Sequence, residues 1–237
     1  MKAIIACGGT SGHINPAISI ADEIKRREPD SEILFIGTEN KLEADLVPRA
    51  GYPIEFIEIR GLSREKSLKG IADNIKTLDK FMRAKRRVKK IIKEFCPDVV
   101  IGTGGYVSAP VLSEAESLKC KTVIHEQNAF AGVTTKMLAK KADRVLLSFP
   151  LVKPLSCSAE KCVVVGNPVN PAFVGKSREE SRKKLGLPLD AKVVVSCGGS
   201  LGATKLNDAF YEMALISDKK TDYIHIHGAS RDYESLT

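Results

Sequence analysis

A short apolar run that leads at once into a glycine-rich turn constrains the fold of this chain more than any other feature. Lys2–Ala6 reads as a short buried strand, Gly8–His13 has the sequence GGTSGH, and a helical pattern follows. A strand that passes through glycines into a helix aims backbone N–H groups at a phosphate or another anion. Glycine permits the tight turn and the approach of a ligand to the backbone, and His13 can move a proton near neutral pH. The same turn could also be a plain connection with a solvated histidine.

The pattern occurs three times in the chain. Val193–Gly202 repeats Ile4–Gly12, and Val99–Gly105 is a third copy. We call the turns of these copies the first (8–13), second (102–105) and third (198–203) glycine loops. None has the lysine and hydroxyl of a P-loop or the third glycine of a dinucleotide fingerprint, so neither a nucleoside triphosphate site nor a dinucleotide cofactor is predicted. Loops at the carboxyl ends of parallel strands are where open α/β sheets bind ligands.

Short apolar runs alternate with longer helical patterns along the whole chain, which predicts an α/β fold with parallel sheets covered by helices on both faces. The predicted strands are Lys2–Ala6, Glu32–Ile36, Ile54–Ile59, Val99–Ile101, Thr122–His125, Arg144–Leu147, Cys162–Val165, Lys192–Cys197 and Tyr223–His227. The predicted helices are Ile14–Arg27, Asn40–Ala50, Ile71–Glu94, Ala109–Leu118, Ala131–Lys140, Arg178–Leu185 and Ala203–Ser217.

The segment Gly166–Pro171 is the best candidate for a domain boundary, because its two prolines, one glycine and two asparagines interrupt regular structure. It divides the chain into a first domain over residues 1–165 and a second over 166–237. Only two strands and two helices are predicted in the second part, which can bury little sheet area. We therefore expect the chain to be the front part of a longer protein.

Positive charge is concentrated in one segment. Between Arg60 and Lys93 there are 13 lysines and arginines against 3 acidic residues, whereas the net charge of the whole chain is +8. The helical stripe Ile71, Ile75, Leu78, Phe81 and Met82 within it can be a core face beside a solvated charged face. An excess of one sign also suits docking on anionic lipid headgroups. Nucleic acid fits less well, because no aromatic residues alternate with the basic ones to stack on bases.

The cysteines and the apolar runs indicate the cellular compartment. The six cysteines include no CxxC pair and no histidine cluster at metal spacing, so free thiols and no metal site are expected. The first apolar run is too short for a signal peptide, and no stretch approaches the roughly 20 apolar residues that span a bilayer. These features predict a cytosolic protein that can lie at a membrane surface.

A polar quartet, His125–Asn128, closes one predicted strand and opens a loop that leads to Gly132. Polar side chains at a strand's carboxyl end suit the hydroxyl and amide groups of a substrate. Asn128 could equally cap the helix that follows. Spacing alone does not separate the two interpretations.

Five motifs in order resemble a known family of enzymes. They are GGTSGH followed by Asn15-Pro16-Ala17, GTGGYVSAP (Gly102–Pro110), HEQNAFAGVTTK (His125–Lys136), GNPV (Gly166–Val169) and GGSLGA (Gly198–Ala203). Together they are similar to the MurG family, over nearly the whole chain. Its members are inverting glycosyltransferases that move N-acetylglucosamine from UDP-N-acetylglucosamine to lipid I (undecaprenyl-pyrophosphoryl-MurNAc-pentapeptide) and so form lipid II in peptidoglycan synthesis.

The resemblance implies a GT-B architecture, in which two Rossmann-like domains face each other across a cleft. Residues 1–165 would bind the lipid acceptor, and residues 166–237 would begin the domain that binds the UDP-sugar. The family works at the cytoplasmic face of the cell membrane as a peripheral protein. No cofactor is implied, and the anionic membrane surface is an expected partner.

The resemblance also implies roles for single residues. His13 resembles the histidine proposed near the reaction centre, and Glu126 is a second acid/base candidate, which as a base would need a raised pKa. Substrate contacts are implied for Thr10, Ser11 and Gly12 near the donor sugar and diphosphate, for Gly104 and Gly105 of the second glycine loop and the adjoining Tyr106, for Asn128 with the donor N-acetylglucosamine, for Asn170 after the GNPV motif, and for Ser200 with a UDP phosphate.

Two departures from the family pattern affect the donor site. Asn170 stands where the family often has arginine, and Leu201 stands where it often has glutamine. Both changes remove contacts to the donor. Two alternatives therefore stay open: a truncated, catalytically inactive fragment that binds the acceptor, and another GT-B glycosyltransferase with a different lipid acceptor.

Overall fold

A computed structural model describes residues 1–59, 68–199, 203–216 and 223–229, with the backbone alone for 68–78. The chain divides into two compact units, Met1–Pro171 and Ala172–Thr237. The division falls at the end of the Gly166–Pro171 segment. Both units contain parallel strands connected through helices, so the predicted α/β class is confirmed.

The first unit is built on a parallel sheet whose described strands follow the order β3-β2-β1-β4-β5-β6-β7. The strands are β1 (Lys2–Ala6), β2 (Glu32–Gly37), β3 (Ile54–Phe56), β4 (Val99–Gly102), β5 (Lys121–Glu126), β6 (Arg144–Leu147) and β7 (Cys162–Val164). The helices between them are α1 (Ser11–Arg27), α2 (Glu43–Arg49), α3 (Leu68–Phe95), α4 (Ser108–Ser117) and α5 (Val133–Leu138).

Strand β1 explains why the sheet is buried on both faces. Its side chains alternate, so that Ile4 packs in one core cluster with α3 and α4, and Ile5 in a second cluster with α1 and α2. A parallel strand covered by helices on both faces needs apolar residues at every position. The unbroken run Ala3–Cys7, all buried, meets that need.

The order of strands fixes where a ligand site can form. The chain moves outward from β1 through β2 to β3 and then returns to β4 on the other side of β1. Ligands of doubly wound sheets bind at such a reversal, outside the carboxyl ends of the strands. The first and second glycine loops follow β1 and β4, whose last residues Ala6 and Gly102 are partners in register.

Several element boundaries differ from the prediction. Helix α1 begins at Ser11 rather than Ile14, so half of the first glycine loop is helical. Strand β3 ends at Phe56 rather than Ile59, and α5 is shorter at both ends than the predicted 131–140.

The apolar stripe predicted for the basic helix α3 is partly wrong. Met82 is 47% exposed, and the face that enters the core runs through Ala84, Val88 and Ile91. Phe81 packs against that core. The side chains of Ile71, Ile75 and Leu78 lie outside the described part of the structure.

The second unit contains α6 (Arg178–Lys184), β8 (Lys192–Cys197), α7 (Thr204–Ile216) and β9 (Tyr223–Gly228). Strands β8 and β9 are parallel, with Val193 opposite Ile224. Helix α6 begins at a cap in which the Ser177 hydroxyl accepts a hydrogen bond from the N–H of Glu180 at 3.0 Å. In the described ranges, no helix is long and apolar enough to cross a membrane.

Candidate functional site

A buried carboxylate from α2 is hydrogen-bonded to the backbone of the first glycine loop. Oε2 of Glu43 accepts a hydrogen bond from the N–H of Gly9 at 3.0 Å, and Oε1 accepts from the N–H and the hydroxyl of Thr38 at 3.1 and 2.6 Å. A Cβ at Gly8 would lie 2.6 Å from Oε1 of Glu43. The absence of a side chain at Gly8 therefore leaves room for the carboxylate of Glu43. The N–H of Gly9 is therefore used by Glu43 and is not available to an anion.

Two amides at the start of α1, two and three residues after Gly9, make no hydrogen bond to the described residues. Thr10 is extended and exposed, and the carbonyl oxygen of Thr10 accepts hydrogen bonds from the N–H groups of His13 and Ile14. The N–H groups of Ser11 and Gly12 donate to no acceptor in the described part of the chain. Unpaired amides in a first helical turn favour an anion. The anion-binding potential predicted for the loop is therefore concentrated at Ser11 and Gly12.

The second glycine loop packs directly on the first. Gly105 has a φ of +77°, and a Cβ there would collide with the carbonyl oxygen of Gly8. Gly104 has a φ of +114°, and a Cβ there would lie 2.5 Å from Nδ1 of His13. Both values of φ lie in the left-handed region that favours glycine. These glycines allow the two loops and the His13 ring to touch each other.

Gln127 holds the imidazole ring of His13 from the other side. Its Oε1 lies 3.1 Å from Nδ1 of His13, and its Nε2 lies 2.7 Å from the carbonyl oxygen of Thr103 and 2.9 Å from Nδ1 of His125. The hydroxyl of Thr103 donates to the backbone carbonyl of His13 at 2.8 Å. The sequence pattern includes Gln127 in a polar quartet but gives it no role. Its partner His13 is 114 residues away along the chain.

Glu126 organises the loop between β5 and α5. It is buried, and it accepts hydrogen bonds from the N–H and Nδ2 of Asn128 at 3.1 and 3.0 Å, the N–H of Gly132 at 2.9 Å and the hydroxyl of Thr135 at 2.6 Å. Burial raises the pKa of Glu126, but these hydrogen bonds together outweigh burial and hold the pKa below the ordinary glutamate value. A base at neutral pH would need the opposite shift, so a structural role fits Glu126 better than the predicted acid/base role.

Asn128 is exposed beside this carboxylate. Its N–H and Nδ2 are both used by Glu126, which fixes the side chain and leaves its Oδ1 without a partner among the described residues. The same loop reaches the second glycine loop, because the hydroxyl of Thr134 donates to the carbonyl oxygen of Gly105 at 3.3 Å. The loops after β1, β4 and β5 therefore form one connected surface.

A cavity of about 630 Å³ opens beside this surface, at the carboxyl ends of β2 and β3. Tyr106, directly after the second glycine loop, forms one wall, and burial, with a smaller contribution from Glu43, raises the pKa of its hydroxyl. The other lining residues are Thr38, Glu39, Asn40, Lys41, Phe56, Ile57, Glu58 and Ile59. The volume is in the range of sites that hold small molecules.

The structure brings together most of the predicted site residues of the first unit. The connected loops and the start of α1 carry Thr10, Ser11, Gly12, His13, Gly104, Gly105, Tyr106, Glu126 and Asn128. Asn170 is half-buried near the end of the first unit. Ser200 and Leu201 lie outside the described residues.

Comparison with known proteins places the chain among glycosyltransferases. A protein of Acetivibrio thermocellus is 48% identical over 94% of this chain and 58% of its own length. One from Caldanaerobacter subterraneus is 44% identical over 97% of this chain and 62% of its own length. Both are named UDP-N-acetylglucosamine–N-acetylmuramyl-(pentapeptide) pyrophosphoryl-undecaprenol N-acetylglucosamine transferase. The chain therefore spans less than two thirds of these relatives.

Solved structures agree with the sequence relatives. MurG of Acinetobacter baumannii matches with a TM-score of 0.63 and 27% identity, over 87% of this chain and 55% of that chain. HepE of Anabaena matches with a TM-score of 0.63 at 12% identity, over 100% of this chain and 62% of that chain, which shows the fold alone. The resemblance to MurG and the GT-B fold class are both confirmed.

A model of the glycosyltransferase family 28 N-terminal domain matches residues 3–147. This range begins in β1, ends with β6 and contains the first two glycine loops and the His125–Asn128 segment. Since the match covers more than half of the sequence, the chain belongs to glycosyltransferase family 28.

Proposed function

We propose that this chain acts in the transfer of N-acetylglucosamine from UDP-N-acetylglucosamine to lipid I, with inversion at the anomeric carbon, and that its first unit supplies the acceptor site and the proton acceptor. The observation that carries the proposal is the placement of His13. Its ring lies at the reversal of the strand order, between Gly104 and Gln127, where α/β sheets bind substrates. The named relatives, 41–48% identical, support the choice of substrates.

The reaction places two demands on the site. The attacking hydroxyl of the acceptor sugar must lose its proton, and a positioned base contributes about 10²–10⁴-fold to such a step. We assign this role to His13, because the carboxylate of Glu126 already accepts hydrogen bonds from Gly132 and Thr135 in its own loop. The leaving UDP gathers negative charge, which N–H groups at a helix start can stabilise. The amides of Ser11 and Gly12 suit this demand, and Ser200 of the third glycine loop is the further candidate.

The cavity at Tyr106 is the proposed place for the acceptor. It adjoins the second glycine loop and its walls are mostly polar, as an acceptor with a sugar, a diphosphate and a peptide requires. Lys41 is the lysine among its lining residues, and it is exposed. An ammonium group in this wall attracts the diphosphate of the acceptor.

Lys41→Glu is expected to weaken the binding of lipid I by about tenfold, which corresponds to about 1.4 kcal/mol. The substitution replaces attraction of the diphosphate with repulsion. Binding is measured as the dissociation constant for lipid I in detergent micelles. The matched control is Lys119→Glu, at an exposed lysine near the amino end of β5, and it should leave affinity unchanged. Equal affinities of the two variants for lipid I would show that the acceptor does not bind in this cavity.

Fewer basic side chains of α3 are available for the proposed binding to a membrane surface than the charge count indicates. Many described basic side chains of α3 are paired: Lys80 with Glu58, Arg83 with Asp79, Lys85 with Glu114, Arg87 with Glu55, and Lys90 with Glu94. Arg86, Lys89 and Lys93 are exposed and have no acidic partner among the described residues. Their spacing of three and four residues puts them on one face of the helix, which also holds the exposed Met82.

Reversal of charge on this face, with Arg86, Lys89 and Lys93 all changed to Glu, is expected to abolish most binding to vesicles that contain phosphatidylglycerol. Each basic residue near an anionic surface contributes about 1 kcal/mol. Co-sedimentation with vesicles at low and high salt measures the effect. Lys176, Lys183 and Lys184 of the second unit, all exposed, give a control with the same change in net charge. Loss of binding in both variants would show that only the total charge matters.

A second candidate function rests on the first unit alone. The cavity at Tyr106 lies wholly within that unit, so we propose as the alternative a module that binds the acceptor without transferring sugar. Retained lipid I affinity without any transfer would favour this function. Transfer to a lipid diphosphate that carries a different sugar would instead indicate another acceptor.

A further inference from the structure

The hydrogen bonds around Gln127 determine which of its side-chain atoms is the nitrogen. One end of the amide lies 2.7 Å from the carbonyl oxygen of Thr103 and 3.3 Å from the carbonyl oxygen of His125. Carbonyl oxygens only accept hydrogen bonds, so the atom that faces them must be the donor, Nε2. The other end, Oε1, is then the atom 3.1 Å from Nδ1 of His13.

This orientation fixes the protons on both histidine rings. Oε1 of Gln127 can only accept, so Nδ1 of His13 must carry a proton and donate it. Nε2 of Gln127 can only donate, so Nδ1 of His125 must be an unprotonated acceptor, at 2.9 Å. The proton of His125 then sits on its Nε2, which lies 3.2 Å from the carbonyl oxygen of Gly166, another group that can only accept.

The environment of His125 supports this assignment. Its side chain is fully enclosed, with 1% of its surface exposed. Burial lowers the pKa of His125, although the Gly166 carbonyl and Glu126 oppose that effect. A neutral ring at physiological pH leaves Nδ1 able to accept from Gln127, which completes the network without any unpaired donor.

We propose that Gln127 is a positioning residue that sets the tautomer of His13, with the proton on Nδ1 and the lone pair on Nε2. Nε2 of His13 makes no hydrogen bond within the described part of the chain, so its lone pair is available to accept a proton. The catalytic consequence rests on the proposed function: the attacking hydroxyl would give its proton to Nε2. The tautomer itself depends only on the folded first unit.

Nitrogen-15 NMR of the histidine rings tests the tautomers directly, without any turnover. The chain has four histidines, and single substitutions of His13 and His125 assign their signals. With both rings neutral, we expect His13 as the Nδ1–H form and His125 as the opposite, Nε2–H form. His13 in the Nε2–H form in the unmodified chain would overturn the proposal.

Two substitutions of Gln127 separate tautomer control from simple packing. Gln127→Met preserves length but cannot accept from His13, and it should shift His13 towards the Nε2–H form. Gln127→Glu can still accept at Oε1, and it should keep His13 as Nδ1–H while losing the donor to His125. Backbone amide spectra confirm that both variants fold. An unchanged His13 tautomer in folded Gln127→Met would refute the role of Gln127.

Transfer kinetics give the second measurement. Gln127→Met should lower kcat by about two- to tenfold, the range that a single hydrogen bond supports, with KM for lipid I unchanged, and Gln127→Glu should restore part of kcat. A rise in KM alone would indicate a binding role and contradict the proposal. If the chain transfers no sugar at all, the proposed function fails, whereas the NMR result still decides the tautomer.

Discussion

His13→Ala is expected to lower the rate of sugar transfer by about 10²–10⁴-fold, the contribution of a positioned general base, while the affinity for UDP-N-acetylglucosamine changes little. The physical reason is that a base acts mainly in the transition state, where the acceptor hydroxyl loses its proton. The measurements are the single-turnover rate with lipid I and the dissociation constant for the UDP-sugar. Equal loss of both would make His13 a binding or structural residue.

His13→Asn is the matched control for packing. The Asn amide can donate to Oε1 of Gln127 in place of Nδ1 of His13, so the loops should keep their arrangement. It offers no basic nitrogen, so its rate should fall as far as that of His13→Ala. A rate close to that of the unmodified chain would show that the ring does not accept the proton.

Glu126→Gln is expected to destabilise the first unit by about 2–4 kcal/mol near neutral pH, because an amide NH₂ would face donors that the carboxylate now accepts. The low pKa of folded Glu126 gives this loss a pH dependence. The charged form contributes stability above the pKa of the unfolded chain, about 4.3 for glutamate. That contribution disappears as the pH falls through the lower folded pKa. Glutamine does not titrate, so the difference between the two proteins should shrink in acid.

Urea unfolding at several pH values measures this difference. Glu160→Gln, at a carboxylate for which no such network is described, is the control, and it should change stability by less than about 0.5 kcal/mol. A Glu126→Gln protein with unchanged stability but no transfer activity would contradict the structural role. That result would favour the acid/base role of Glu126 that the family motif implies.

The fold could be predicted from the sequence to a large extent because it depends on local patterns. Unbroken apolar runs such as Ala3–Cys7 are required in strands buried on both faces, and glycines such as Gly104 mark left-handed turns. These signals lie within a few residues of each other. They identified the strands and helices of both units, and they placed the first two glycine loops at one edge of the sheet.

The contacts that determine the chemistry of the site could not be predicted in this way. Glu43 fills the first glycine loop from 34 residues away, and Gln127 reaches His13 from 114 residues away. Both depend on how α2 and the loop after β5 fold over the sheet edge. The pattern GGTSGH is the same whether a ligand or a buried carboxylate occupies the space that glycine leaves.

The pairing of the charged side chains could not be predicted for a related reason. The net charge of the basic segment was evident from the sequence, but the pairing of its members was not. Arg87 meets Glu55 of β3, and Lys85 meets Glu114 of α4, across elements that lie far apart in the chain. An acidic partner at this distance offsets the attraction of a basic side chain to an anionic membrane surface.

Transfer of radiolabelled N-acetylglucosamine from the UDP-sugar to lipid I by the 237-residue chain is the most direct test of the proposed function. The products are separated as extractable lipid, with His13→Ala and His13→Asn measured in parallel. The proposed function predicts label in a lipid of the size of lipid II, formed at a rate that falls by about 10²–10⁴-fold in both variants. Lipid I that binds the chain without acquiring label would contradict it and leave the first unit as an acceptor-binding module.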